Sequence, residues 1–366
     1  MFLPYNGTGR SPVWQIRRLC GLILLGLVAV VALDRCRAGE APASASEHAL
    51  PGGVFSLWPM VESFARAPEL DSPLVAGLSA RFRWSSVEPQ PGQYHWQALD
   101  AARDRAAASK KRLMLRVTAG MNSPAWVYER GCRKITFPPE DTNFLKAGTQ
   151  PAMPVPWDDA YLAAWEQFLQ ALGRHIHDWP GLYCVQMTGG GFIGEMHLPK
   201  KSASVIAQWE AVGISDDKLI SMWQRIIRAY DQAMPSGVGL ALDLGQPFNK
   251  SQATPAVFAW ARDHYPGRVW FQQNGLNERV TAEGQYARML RAAAETTTVG
   301  YQMLGGGKFL DKDTGDRRKC FERAVGDHCK YVEVYREDLR DPKWQAAVEY
   351  LAEGLRRNAE TAPIRP

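Results

Sequence analysis

The sequence has no cluster of cysteine and histidine at structural-zinc spacing. Its seven histidines and six cysteines are scattered, so no metal site is expected. Runs of basic residues are missing too. Lysine and arginine are interspersed with acids, and part of the formal charge of +5 comes from Arg10, Arg17, Arg18, Arg35 and Arg37, ahead of the first globular segment. Nucleic acid is therefore not an expected partner, and no motif asks for a cofactor. No repeat, linker or sharp change of composition divides the body of the chain, and no exposed apolar stripe argues for an assembly. The longest apolar run, 19–33, has fifteen residues, short of the roughly 20 that a spanning helix needs.

That run has the length and setting of a signal-peptide core. Arg17 and Arg18 precede it, Asp34-Arg35 ends it, and a small-residue stretch over 38–46 follows. The positive flank stays cytoplasmic and the rest is exported. Cleavage near Ala43-Ser44-Ala45 leaves a periplasmic or extracellular protein; retention leaves one anchored to the inner membrane by 19–33. A lipoprotein is disfavoured, because Arg35 precedes Cys36. The expected division is a leader over 1–46 and one domain over 47–366. Export permits disulfides: Cys320 and Cys329, flanking a short polar stretch, are the preferred pair, with two free thiols as the alternative.

What is present suits a large α/β domain. Of the 366 residues 46% are apolar, enough to bury a sizeable core. Short apolar runs alternate with segments of helical period, the pattern of repeated βα units around a parallel sheet. Strands are predicted at 54–59, 78–84, 112–119, 182–188, 238–244, 269–274, 299–304 and 331–335. Eight is the count of a closed (β/α)8 TIM barrel. Between them, 160–175 places Leu162, Trp165, Phe168, Leu169 and Leu172 on one helical face, and 219–234 repeats the theme. The long Pro- and Gly-rich stretch 122–159 is expected as an elaborated loop at the C-terminal face, where such barrels build their sites. The thirteen tryptophans and twelve tyrosines serve the core first, but sugar sites also stack pyranose faces on such rings.

One segment carries more. Arg81-Phe-Arg-Trp84 ends a strand, Glu88-Pro leads to a Pro-Gly turn, and Tyr94-His-Trp96 precedes Leu99-Asp100, which opens a helix. With 112–119 and the following Ser123-Pro-Ala-Trp126, this resembles the second and third βα units of clan A glycoside hydrolases, particularly the family 42 β-galactosidases. Glu88 reads as a loop anchor. The resemblance implies a (β/α)8 barrel, hydrolysis of O-glycosidic bonds in an oligo- or polysaccharide, an acid/base glutamate at the end of strand four and a nucleophile at the end of strand seven.

After the fourth strand comes Thr188-Gly-Gly-Gly-Phe-Ile-Gly-Glu195-Met-His-Leu-Pro199. Glycines let backbone approach a ligand closely, and a carboxyl on such a loop suits a general acid. The clan usually has Asn before this Glu; here it is Gly194, and the Gly-Glu-x-x-x-Pro pattern is similar to the acid-bearing loop of β-amylases. Glu195 is accordingly the expected proton donor. The strand-seven position is held by Gln302, whose amide cannot form a glycosyl ester. Glu333, within Tyr331-Val-Glu-Val-Tyr335, is the preferred second catalytic carboxylate, unless it is ion-paired to Arg83 or Arg116; Asp243 is the next choice, for an inverting reaction. Trp58, Arg83, Arg116, Gln273, Asn274 and Gln302 are expected to bind substrate, with Gln186 and Gln272 nearby. Alternation along the strand lets at most two of Gln272, Gln273 and Asn274 face the lumen. Two rival readings remain: a carbohydrate-binding pseudoenzyme lacking the strand-seven nucleophile, and a membrane-tethered structural partner in an envelope-polysaccharide assembly.

Overall fold

Eight apolar runs become eight strands: β1 (Gly53–Trp58), β2 (Val75–Arg83), β3 (Arg112–Thr118), β4 (Leu182–Met187), β5 (Gly239–Asp243), β6 (Val269–Leu276), β7 (Val299–Met303) and β8 (Tyr331–Tyr335). Each pairs in parallel with its sequence neighbours, and β8 pairs with β1 to close the barrel. Nearly every strand residue is buried, as parallel strands covered on both faces require. The computed structural model describes residues 52–58, 67–138, 151–193, 195–198, 202–248 and 251–360. The expected leader, 1–46, with its apolar run, Cys20 and Cys36, lies outside them. Among the described residues no helix is long and apolar enough to cross a membrane.

The helices follow the expected period. Asp159–Ile176 buries Leu162, Trp165, Phe168, Leu169 and Leu172, and Asp158 caps it by accepting from the amides of Ala160 (3.1 Å) and Tyr161 (3.3 Å). Asp216–Ala233 buries Met222, Trp223, Ile226, Ile227 and Tyr230 behind a Ser215 cap. Both caps satisfy amides that a helix start leaves without intrahelical partners. The elaborated stretch after β3 holds a short helix, Ala125–Glu129, and a two-stranded antiparallel ladder of Lys134–Thr136 with Ala152–Pro154.

The Cys320–Cys329 pair does not form. The stretch expected as a polar loop is largely the helix Arg317–Gly326, which fixes Cys320 on its buried side. The Cys320 thiol lies 3.7 Å from the Thr314 carbonyl oxygen, and both cysteines are free and fully buried. Burial pushes the Cys320 thiol up to about 12, so it is an inert core group and not a nucleophile.

The lumen has an aromatic floor. Phe55 stacks on Tyr183 with ring centroids 5.0 Å apart, Tyr183 meets Trp270 edge-on at 4.8 Å, and Tyr331 stands edge-on to Phe55 at 6.2 Å. These rings fit because the strands facing them carry no side chain at the same level. A Cβ on Gly77 would fall 2.3 Å from the Phe55 ring, one on Gly239 2.3 Å from Trp270, and one on Gly300 2.4 Å from Tyr331. Large and small residues thus alternate around the barrel. Gly300→Ala should therefore overpack the floor and cost about 1–3 kcal/mol, seen as a lower Tm in thermal unfolding. An unchanged Tm would show that the floor has slack.

Candidate functional site

Above the aromatic floor, strand alternation sends polar side chains inward. Glu333 on β8 is fully buried. Its Oε2 accepts from Gln186 Nε2 on β4 (2.7 Å) and Gln272 Nε2 on β6 (2.6 Å), and its Oε1 accepts from the Ser79 hydroxyl on β2. Two guanidinium groups flank it at 3.9 Å, Arg81 toward Oε1 and Arg116 toward Oε2. The Tyr331 hydroxyl donates to Gln272 Oε1 at 2.7 Å, tying this layer to the floor. Both oxygens of Glu333 are thus occupied by partners from other strands, and its side chain has no exposed surface. A carboxylate in so apolar a strand is tolerable only when paired in this way.

Glu195 sits one level higher, at the C-terminal mouth. Its Oε1 accepts from Arg116 Nη1 and from Asn274 Nδ2 (2.7 Å), and the side chain is 12% exposed. Arg116 is fixed from below by its Nε donating to Gln186 Oε1 (2.6 Å). The loop that carries Glu195 is tied down by the surrounding helices: Tyr161 Oη donates to the Gly189 carbonyl (2.6 Å), Trp165 Nε1 to that of Thr188 (3.2 Å), and Tyr230 Oη accepts from the Thr188 amide (3.0 Å). The glycines do what their type suggests. A Cβ on Gly191 would sit 1.4 Å from the Glu195 carbonyl oxygen, so only glycine lets the loop fold back on itself here.

Asp243, the last residue of β5, is the second carboxylate beside Glu195. It is 6% exposed, and its Oδ1 accepts the Asn274 amide at 2.8 Å. Asn274 therefore bridges the pair, its backbone N–H on Asp243 and its side-chain amide on Glu195. Gly275, at φ +122°, and a register shift between Asn274 and Leu276 release the strand just beyond this bridge. Burial, and next the Glu195 charge, push the Asp243 carboxyl well above the usual carboxylate range, against the pull of Arg116. Arg116 moves the other way from what burial alone would do: Glu195 and Glu333 outweigh desolvation and raise it.

Of the residues expected to bind substrate, Arg116, Asn274 and Gln302 lie in this network, as do Gln186 and Gln272. Gln302 Oε1 accepts from Arg81 Nη2, a guanidinium the sequence reading passed over in favour of Arg83. Both lie on the same face of β2, but Arg83 is exposed at the strand end and bonds to no described residue. Gln273 is on the opposite face from Gln272 and Asn274; its Nε2 donates to the Asn274 carbonyl at 2.8 Å. Trp58 shares its face of β1 with Ser56, and both donate to Glu69 Oε1, at 2.8 Å and 3.0 Å, while Arg336 stacks on the indole. That network is separate from the two carboxylates, which removes Trp58 from the expected pocket. Glu88 anchors its loop, accepting from Trp84 Nε1 and the Gly92 amide at 2.8 Å each. Among the described residues no three His, Cys, Asp or Glu side chains converge as a metal site.

Residues 74–189, from β2 to the end of β4, match the family model described as Beta-galactosidase, glycoside hydrolase family 42. The match stops ahead of Glu195, Asp243, Gln302 and Glu333. Among solved structures, the β-galactosidase from Rahnella sp. R3 superposes with a TM-score of 0.53 at 12% identity, covering 86% of this chain and 57% of that one. Xylanase 10B from Thermotoga maritima gives 0.51 at 11% identity, covering 84% and 97%. Identities this low speak for the barrel alone. No curated protein matches the sequence. The chain is thus a (β/α)8 barrel in which residues 74–189, from its second strand to the end of its fourth, are similar to the family 42 β-galactosidase model.

Proposed function

We propose that the protein hydrolyses O-glycosidic bonds of an oligo- or polysaccharide, with Glu195 and Asp243 as the reacting carboxylates. The observation that carries this reading is the Asn274 bridge, which holds two carboxyl groups together at the barrel mouth while their surroundings differ. A carboxyl raised by burial beside a second carboxylate is where acid and base roles can separate. Burial and the charge of its neighbour favour the protonated form of Asp243, and in this reading it gives that proton to the leaving glycosidic oxygen. Glu195, held against Arg116 through Oε1 with no described residue bonded to Oε2, takes a proton from the water that attacks the anomeric carbon. This reverses the role first expected of Glu195. Gln302 supports a single displacement with inversion, since an amide cannot carry the glycosyl group at that position. Exchange with solvent afterwards returns the proton to Asp243. The leader over 1–46 would place this activity outside the cytoplasm, at the inner membrane if 19–33 is retained. The family 42 segment supports a β-galactosidase-like configuration at the cleaved bond, whatever charge the sugar carries.

Release of reducing ends from a panel of α- and β-linked glycans measures the reaction. Glu195→Gln and Asp243→Asn should each lower it by about two to four orders of magnitude, and the first-formed anomer, read by NMR, should be inverted. Full turnover in both variants would overturn the pair; glycan binding with no release by the wild type would replace hydrolysis with a binding role.

Proton retention also has a thermodynamic signature. A carboxyl raised in the folded state contributes stability that is complete below its unfolded pKa of about 3.9 and is lost as pH rises through the folded value. In urea unfolding the wild type should lose stability relative to Asp243→Asn as pH rises above about 4, because the variant has no proton to lose there. Parallel pH profiles for the two would rule out a protonated Asp243.

A further inference from the structure

The two lumen arginines are not equivalently satisfied. Arg116 uses Nε on Gln186 and Nη1 on Glu195. Arg81 is only 6% exposed, yet its one hydrogen bond to a described residue goes from Nη2 to Gln302 Oε1, and the Glu333 carboxylate it faces is 3.9 Å away. Its Nε is buried without a partner, and Nη1 bonds to no described residue. Glu333 already accepts three donors, so it has little left to offer Arg81. Arg83 adds a second, exposed cation two residues on along the same face of β2, also without a bonded partner among the described residues. Burial and the neighbouring Arg116 charge both disfavour the Arg81 cation, against the pull of Glu333 and Glu195. A buried guanidinium bonded to an amide in place of a carboxylate keeps unspent donors, and its planar fork matches a carboxylate best.

On the reading that the barrel binds and cleaves a glycan, we propose that the glycan is acidic and that the carboxylate of a hexuronate residue completes the coordination of Arg81, with Arg83 drawing it to the mouth. Gln302, its Oε1 held by Arg81, orients the guanidinium fork. No bond is made or broken in this step; it selects the sugar that lies across Glu195 and Asp243.

Monosaccharides contain no glycosidic bond, so calorimetric titration of the full-length wild-type chain with them separates binding from turnover. Glucuronate and galacturonate should bind at least about ten-fold more tightly than glucose and galactose. Arg81→Gln should abolish that preference. Gln302→Glu should abolish it too, with Arg81 still present, because it supplies the missing carboxylate internally; it keeps the test open if Arg81→Gln does not fold. Equal affinity for charged and neutral sugars, or a preference that survives both substitutions, would overturn the proposal. So would inorganic phosphate or acetate binding as tightly as the uronates, since the site would then take any small anion. A uronate preference without release from any uronate-containing polymer would leave this assignment standing and overturn hydrolysis instead, whereas release from neutral glycans without a uronate preference would do the reverse.

Discussion

Glu333 is the constraint on which the barrel depends. A carboxylate with no solvent access is admissible only if its charge is matched and its lone pairs are filled, and here the partners come from four other strands: Ser79 and Arg81 on β2, Arg116 on β3, Gln186 on β4 and Gln272 on β6. In an open sheet β8 would be far from most of them. Closure of the ring brings them together, so completing the fold and neutralising Glu333 are one event. Removing one side of such a buried pair typically costs about 3–5 kcal/mol, because the remaining charge has nowhere to find water.

The same layer sets the geometry above it. Arg116 is held by Gln186 and faces Glu333 with one nitrogen and Glu195 with another. Gln272 donates to Glu333 and to Asn274 Oδ1 (2.5 Å), and Asn274 reaches both mouth carboxylates. Orientation is thus passed upward from a buried anion through two amides and a guanidinium to the two carboxylates at the mouth. Groups fixed in this way need not reorganise when charge develops on a substrate, which is where polar sites gain most. The Glu195 loop is held independently from outside by Tyr161, Trp165 and Tyr230.

The fold was legible because its signal is local. All eight predicted strands form, with ends within about three residues, and the two predicted helices keep their buried faces. The site was legible only where strand alternation decides it. Gln272 and Asn274 inward and Gln273 outward obey the rule of two, and Arg81 could have been found by counting back from Arg83 on the same face. What alternation cannot show is depth along the strand. Arg83 is at the rim and Arg81 below it; Glu333 is sealed while Asp243, ranked after it, stands beside Glu195. Nor does a sequence reveal which outer-layer acid claims an indole, as Glu69 does Trp58, or that a polar stretch between two cysteines is helix. Those outcomes depend on how distant strands align when the ring closes.

Gln302 then ceases to look like a simple loss. A carboxylate at that position would face Arg81 directly and give the lumen a further anion near Glu333 and Glu195, whose charges both raise Arg116 while that of Glu195 also presses on Asp243. With an amide there, that repulsion is absent, Arg81 keeps unspent donors, and the proposed displacement runs through the pair joined by Asn274. One neutral side chain in place of an acid therefore bears on three properties at once: where protons move, whether a covalent intermediate is possible, and which charge a bound sugar should carry. These follow from the same electrostatic sum in a closed, poorly solvated lumen, where charges are felt across several strands.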